Sequence, residues 1–117
     1  MHNFKKLKIW QEGIELVRES YKLTRTFPDF EKFGLVVQMN RCAVSIPSNI
    51  SEGSSKSTDK HFNKYLEHSL GSAFEWETQL IVAYNESYLN NEKFKELENK
   101  IIYIQKMISR FQSGLSL

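Results

Sequence analysis

Cysteine, net charge and long apolar runs are all in short supply in this 117-residue chain. A single cysteine, Cys42, excludes an internal disulfide. Sixteen Lys and Arg against fourteen Asp and Glu leave a net charge of +2, which permits an anionic partner without demanding one. No window approaches the ~18 apolar residues of a membrane span. The basic opening MHNFKKLKIWQEG is not followed by the apolar run of a signal peptide, so the expectation is a soluble cytoplasmic protein. There is no alternating strand pattern of useful length, no repeat and no low-complexity tract. The length suits one domain, residues 1–117, with one core and no separate catalytic unit.

Several kinds of chemistry are missing as well. A di-iron bundle needs Glu-x-x-His on two helices, but Thr58 precedes His61 and Tyr65 precedes His68 at that spacing. His2, His61 and His68 therefore read as surface residues. The run Gly53-Ser54-Ser55-Lys56-Ser57 lacks the glycine before lysine that a phosphate-binding loop requires, and it follows a helix instead of a strand. No Gly-x-Ser-x-Gly elbow occurs. Cys42 has no histidine at helical spacing and falls on an apolar stripe, so it reads as core. Glu52, Glu75 and Glu77 do not make a convincing metal set. No catalytic residue, metal or cofactor is expected.

What is present is helical periodicity in four segments, predicted over residues 7–26, 31–52, 58–88 and 91–112. The first carries two stripes, Trp10-Ile14-Val17-Tyr21-Thr24 and Ile9-Leu16-Leu23. The second aligns Leu35, Met39, Cys42, Ile46 and Ile50. The third aligns Phe62, Leu66, Ser69, Ala73, Trp76, Leu80 and Ala83, flanked by Leu70, Phe74, Ile81 and Tyr88. The fourth aligns Phe94, Leu97, Ile101, Ile104, Ile108 and Phe111. Phe27-Pro28-Asp29 ends the first segment, because proline disfavours a helical residue before it. Gly53 suits a left-handed helix stop, and Ser57 or Thr58 suits the next N-cap. Short connections between amphipathic helices predict an all-α, antiparallel up-down four-helix bundle. The wide apolar arcs on the first and third helices fit either a core or a contact with other subunits.

The stretch SIPSNISEG, residues 45–53, places Pro47 inside the second helix. Proline there loses the bond to the Ala43 carbonyl and predicts a kink. Gln38, Arg41, Ser45, Asn49 and Glu52 recur at steps of three or four and share one face. Glu75 and Glu77 interrupt an otherwise buriable part of the third helix. A half-buried carboxylate wants a partner, so Gln38, Arg41, Ser45, Asn49, Glu52 and Glu75 are expected to form an interhelical polar network that fixes register.

The residues then carry a likeness. Phe4, Leu7, Ile9 and Trp10 near the start, Phe27-Pro28, Phe33-Gly34-Leu35, Gln38-Met39-x-Arg41, the block Ser45-Ile46-Pro47-Ser48-Asn49-Ile50-x-Glu52-Gly53, and Glu75-x-Glu77-Thr78 resemble the four helix bundle proteins also called 23S rRNA-intervening sequence proteins. The likeness runs from Phe4 to about Phe111, and the SIPSNI-EG block is its most specific part. The resemblance implies an up-down bundle that associates as a ring, a homopentamer, and it implies no established activity. The loop Ser54-Ser55-Lys56-Ser57 is less basic than the family pattern.

Basic residues give the remaining functional signal. Lys5, Lys6 and Lys8 cluster at the start, and Arg18, Lys22 and Arg25 share a face of the first helix, diluted by Glu12, Glu15 and Glu19. A ring would multiply such a patch and add avidity. One reading is a non-enzymatic oligomer that binds structured RNA or other nucleic acid through these six residues. A second is a structural or protein-interaction scaffold whose partner is another protein. A third, much weaker, is a small enzyme with a site around Asn49, Glu52 and Glu75 at a subunit interface.

Overall fold

Of the two stripes on the first helix, Ile9-Leu16-Leu23 is the one that is buried, while Ile14 and Tyr21 are exposed. The computed structural model describes residues 2–117 as four helices: α1 Lys8–Thr24, α2 Leu35–Ser54, α3 Asp59–Asn85 and α4 Asn91–Ser113. Gly13 and Ser20 continue the buried stripe of α1, so small residues set its inner face between the leucines. On α3 and α4 the buried residues match the expected stripes: Trp76, Leu66, Leu80, Leu97, Ile101, Ile104 and Ile108 are all fully excluded from solvent. Each such aliphatic side chain contributes about 1.5–3 kcal/mol on burial. The chain is an all-α four-helix bundle in which α1 packs on α2 and α4, and α3 packs on the same two neighbours.

The helix ends follow local chemistry. Thr58 Oγ1 accepts from the His61 N–H at 3.2 Å, and Asn90 Oδ1 accepts from the Lys93 N–H at 2.8 Å, so both side chains satisfy first-turn donors. α2 begins at Leu35, later than periodicity predicts, because Asp29–Glu31 first makes a 3-10 turn. The Glu31 carboxylate then accepts from the Leu35 N–H at 3.1 Å. α3 stops at Asn85, earlier than predicted. Ser87 takes φ 65° there, with Ser87 N–H bonded to Tyr84 O and Tyr88 N–H to Ala83 O. That pair of bonds is a Schellman stop built on serine instead of glycine.

One residue of the SIPSNISEG block behaves differently from expectation. Gly53 is not a left-handed stop: among the described residues no glycine has positive φ, and α2 runs on to Ser54. Gly53 is needed for closeness, since a Cβ there would lie 2.7 Å from Tyr65 Cβ and 2.9 Å from Phe62 Cδ1 of α3. α2 continues through Pro47 as a single helix from Leu35 to Ser54. Pro47 is buried against Gly13 of α1, where an added Cβ would meet its ring at 3.3 Å. Around the missing proline donor, Ser69 Oγ donates to the Ile46 carbonyl at 2.8 Å and Asn49 Nδ2 to the Ser45 carbonyl at 2.8 Å.

Candidate nucleic-acid interface and polar cleft

α2 and α3 run antiparallel, and their polar residues meet as a ladder. Ser45 and Ser72 share a hydroxyl hydrogen bond of 2.9 Å. One turn along, the Cys42 thiol donates to the Ser72 carbonyl at 3.0 Å and approaches Glu75 Oε1 at 3.5 Å. A cleft of about 240 Å³ opens beside this ladder, with Gln38, Arg41 and Gln79 on its walls. Asn49 joins at the far end, donating to Ser45 Oγ at 2.9 Å. Burial, then the Glu75 carboxylate, push the Cys42 thiol up to about 12.

Five of the six residues expected in the polar network thus lie along this groove. Ser45 and Asn49 are directly linked, Glu75 receives the thiol, and Gln38 and Arg41 line the wall. Within that network Arg41 makes no ion pair: among the described residues it has no carboxylate within salt-bridge distance. Glu77 instead accepts from Gln105 of α4 at 2.8 Å. Glu52 is exposed and its carboxylate makes no hydrogen bond among the described residues.

The deepest polar network lies elsewhere, on residues that the polar face did not include. Trp76 Nε1 donates to Ser20 Oγ at 3.0 Å, Ser20 Oγ donates to Asn40 Oδ1 at 2.9 Å, and Asn40 Nδ2 donates to Thr24 Oγ1 at 3.0 Å. Ser20, Thr24 and Asn40 are all buried. The signal available in the sequence was that Ser20 and Thr24 continue the stripe of Ile9, Leu16 and Leu23 at helical spacing, while Asn40 follows Met39 of the inner stripe of α2.

The basic residues separate into two places. Arg18, Lys22 and Arg25 line one shallow depression of α1 together with Ile14, Val17 and Tyr21. Lys5 and Lys6 stand on a 3-10 turn before α1, and Lys8 on its first turn. The two groups are roughly 15–25 Å apart along the helix axis at its 1.5 Å rise per residue. Of the acids that dilute the patch, Glu15 touches Arg18 at 3.8 Å, whereas Glu19 is engaged across the bundle by Lys93 and Lys100 of α4 at 3.7 and 3.9 Å. Lys22 and Arg25 have no ion pair among the described residues.

Apolar groups also stand outside. Ile14, Tyr21, Val37 and Val44 are exposed on α1 and α2, and Phe74, Ile81 and Val82 on α3. Phe30 and Phe33, in the connection before α2, are 78% and 86% exposed. All three histidines are exposed. Among the described residues no group of three His, Cys, Asp or Glu side chains is placed to hold a metal, and no helix is long and apolar enough to cross a membrane.

Three comparisons place this geometry among known proteins. The family model described as 23S rRNA-intervening sequence protein matches residues 5–110. No curated protein matches the chain. Among solved structures, the bundle is similar to a protein of unknown function from the S23 ribosomal protein family of Bacteroides thetaiotaomicron. The TM-score is 0.83 at 21% identity, over 91% of this chain and 99% of that one. At that identity the likeness speaks for the fold.

Proposed function

The chain belongs to the 23S rRNA-intervening sequence protein family, and on that premise we propose that it is a non-enzymatic, self-associating bundle that binds structured RNA or other nucleic acid. The observation that carries the reading is the depression where Arg18, Lys22 and Arg25 flank Ile14, Val17 and Tyr21. Lys22 and Arg25, which have no ion pair among the described residues, suit phosphate oxygens, and the adjoining Tyr21 ring offers a stacking surface. Engagement of Glu19 by α4 removes one of the acids that would weaken this field. Lys5, Lys6 and Lys8 form a second, smaller contact at the other end of α1.

Self-association rests on two unlike apolar faces outside that depression, one around Val37 and Val44 of α2 and one around Phe74, Ile81 and Val82 of α3. Unlike faces join head to tail, which closes into a ring when the rotation permits. The resemblance implies five copies. The protein works in the cytoplasm on this reading. The same apolar faces, with Phe30 and Phe33, favour a second reading, a scaffold for a partner protein with no direct nucleic-acid role.

The deciding experiment is fluorescence anisotropy of nuclease-treated protein with a structured RNA at low and at physiological salt. Phosphate contacts predict affinity that falls steeply with salt. An Arg18→Glu/Lys22→Glu/Arg25→Glu variant should keep its mass by light scattering and lose binding. A variant that keeps both its mass and its RNA affinity rules out this face; wild-type protein that binds no RNA at low salt leaves the scaffold.

A further inference from the structure

The end of the bundle where α1 begins gathers cations that the sequence scatters. The backbone N–H of His2 donates to Ser54 O at the close of α2 at 3.3 Å, and the His2 ring packs on Phe62 of α3 and Phe111 of α4 at 5.1 and 6.0 Å. Gln112 of α4 donates to Asn63 of α3 at 3.0 Å, and the Ser116 N–H donates to Asp59 at 3.0 Å. The start of the chain, the close of α2, the first turns of α3 and the last turns of α4 therefore share one end. Lys5, Lys6 and Lys8 stand there. So do Lys56, Lys60, Lys64, Lys106 and Arg110, which brings half of the sixteen Lys and Arg to this end. All are exposed but Lys56, which lies over the Tyr65 ring at 5.0 Å. Only four of the fourteen acids belong to the same end, Glu12, Glu52, Asp59 and Glu67, and Asp59 is engaged by Ser116. None of these cations has an ion pair among the described residues. Water solvates each ammonium singly, but like charges gathered with few acids make a field that a polyanion answers.

We propose that this end docks on the phosphate backbone of a double-stranded RNA stem. The inference rests on the nucleic-acid reading, and adds the kind of nucleic acid and the helices that meet it. The cations stand on three helices of a bundle 25 × 20 Å in cross-section, so they face a surface and do not follow one strand. A duplex carries one charge per about 1.7 Å of axis, twice the density of either strand alone. Double-stranded RNA is bound mostly through shape and phosphate contacts, whereas single strands are held by bases stacked on aromatic rings. The rings of this end are already engaged. Phe4 packs on Trp10 at 5.2 Å, Phe111 packs on Phe62 at 5.5 Å, and Tyr65 lies under Lys56. Tyr103, 44% exposed, stands only at the border, one turn before Lys106 on α4.

The placement leaves the other surfaces free. Lys64 is about 15 Å along α3 from the exposed Phe74, and Lys8 about 15 Å along α1 from Arg18, at 1.5 Å per residue. A stem seated on the end therefore leaves the Tyr21 depression open to an unpaired stretch of the same RNA. Lys60 and Lys64 are one turn apart on α3, as are Lys106 and Arg110 on α4, so each pair shares a helix face and presents two cations side by side.

The test uses the full-length, nuclease-treated protein and two RNAs of equal length, a hairpin stem and an oligouridylate, with anisotropy read across a salt series. Lys60→Gln/Lys64→Gln and Lys106→Gln/Arg110→Gln should each weaken hairpin binding by about fivefold or more. Each should also flatten the slope of log affinity against log salt by about 1–2. Lys32→Gln/Lys95→Gln removes the same charge from exposed positions at the opposite end and should change neither. The oligouridylate should lose less than about twofold in all three variants, since its bases stack elsewhere. All six side chains are exposed, so the fold survives the changes, as circular dichroism checks. End variants that behave like the Lys32/Lys95 control overturn the proposal and leave the α1 face of the nucleic-acid reading standing. Equal losses for hairpin and oligouridylate overturn the duplex assignment. Unchanged hairpin affinity with lost binding to phosphatidylserine vesicles makes the end a membrane contact and overturns it as well. Wild-type protein that binds neither RNA overturns the reading and the inference together.

Discussion

Trp76 of α3 and Ser20 of α1 are joined by a 3.0 Å indole-to-hydroxyl hydrogen bond, and the same hydroxyl donates onward to Asn40 of α2. Three helices therefore converge on one oxygen inside the apolar core. Any slip of one helix along another would strand an indole N–H, a hydroxyl and an amide together. Because a buried polar atom without a partner costs about 1–3 kcal/mol, this convergence singles out one register.

Asn40→Ala should accordingly destabilise the bundle by about 1–3 kcal/mol, since it leaves the buried Ser20 hydroxyl without its acceptor and Thr24 with only the Tyr21 carbonyl. Ser45→Ala, in the partly open cleft, should cost under about 1 kcal/mol because water can replace the lost hydroxyl. Urea unfolding of the two variants makes the comparison. Equal costs would mean that the Asn40 network does not set the register.

Substitution of two glycines should act in opposite directions. Gly53→Ala forces a methyl to within 2.7 Å of Tyr65 Cβ, and the helices must part at a cost of about 1–3 kcal/mol. Gly71 sits inside α3 with nothing within 4 Å of an added Cβ. Gly71→Ala should stabilise by about 0.5–1 kcal/mol through helix propensity alone. Thermal midpoints moving the same way in both would contradict the packing assigned to Gly53.

Ser87 carries a left-handed backbone with φ 65°, a conformation that costs an L-residue about 1 kcal/mol. Ser87→Gly should recover most of this and raise the thermal midpoint without changing the fold. Ser87→Val should lower it, as a β-branched side chain is worse still at positive φ. Calorimetry of the pair reads both signs.

Alkaline pH should weaken the fold. Burial, then Glu75, raise Cys42 from 9.0 to about 12. Between those values the folded chain holds a proton that the unfolded chain releases, so stability falls as pH rises above about 9. Tyr88 contributes with the same sign, raised from 10.0 to about 12 by its partial burial and then by Glu31. Cys42→Ala should flatten the fall in urea midpoint between pH 8 and pH 10. In the wild type a thiol reagent should label Cys42 quickly only after unfolding, because the thiolate is the reactive form.

Much of the bundle could be read from periodicity, because burial of one face leaves a three-four rhythm that composition cannot hide. The stripes of α2, α3 and α4 are legible in this way. α1 was ambiguous, since Trp10-Ile14-Val17-Tyr21 is as apolar as Ile9-Leu16-Leu23, and spacing alone does not say which stripe has neighbours. Gly53 was misread because a glycine at a helix end fits a stop as well as a close approach, and only the distance to Tyr65 separates them. The polar face Gln38, Arg41, Ser45, Asn49 was legible from its spacing, as a network between helices and not as the wall of a cleft. Gln79, whose buried Oε1 has no hydrogen-bond partner among the described residues, was hidden, because whether an amide oxygen finds a donor depends on packing between helices far apart in sequence.

The Glu31 carboxylate has two engagements, the first N–H of α2 at 3.1 Å and the Tyr88 hydroxyl at 2.8 Å. One of its oxygens thus belongs to the passage between α1 and α2, the other to the passage between α3 and α4. These segments are remote in the chain, yet neither can swing away without releasing the other. Phe30 and Phe33 ride on the first of them. Amide exchange at this end should occur as one concerted opening, so a ligand that grips the two phenylalanines would slow exchange around Tyr88 as well.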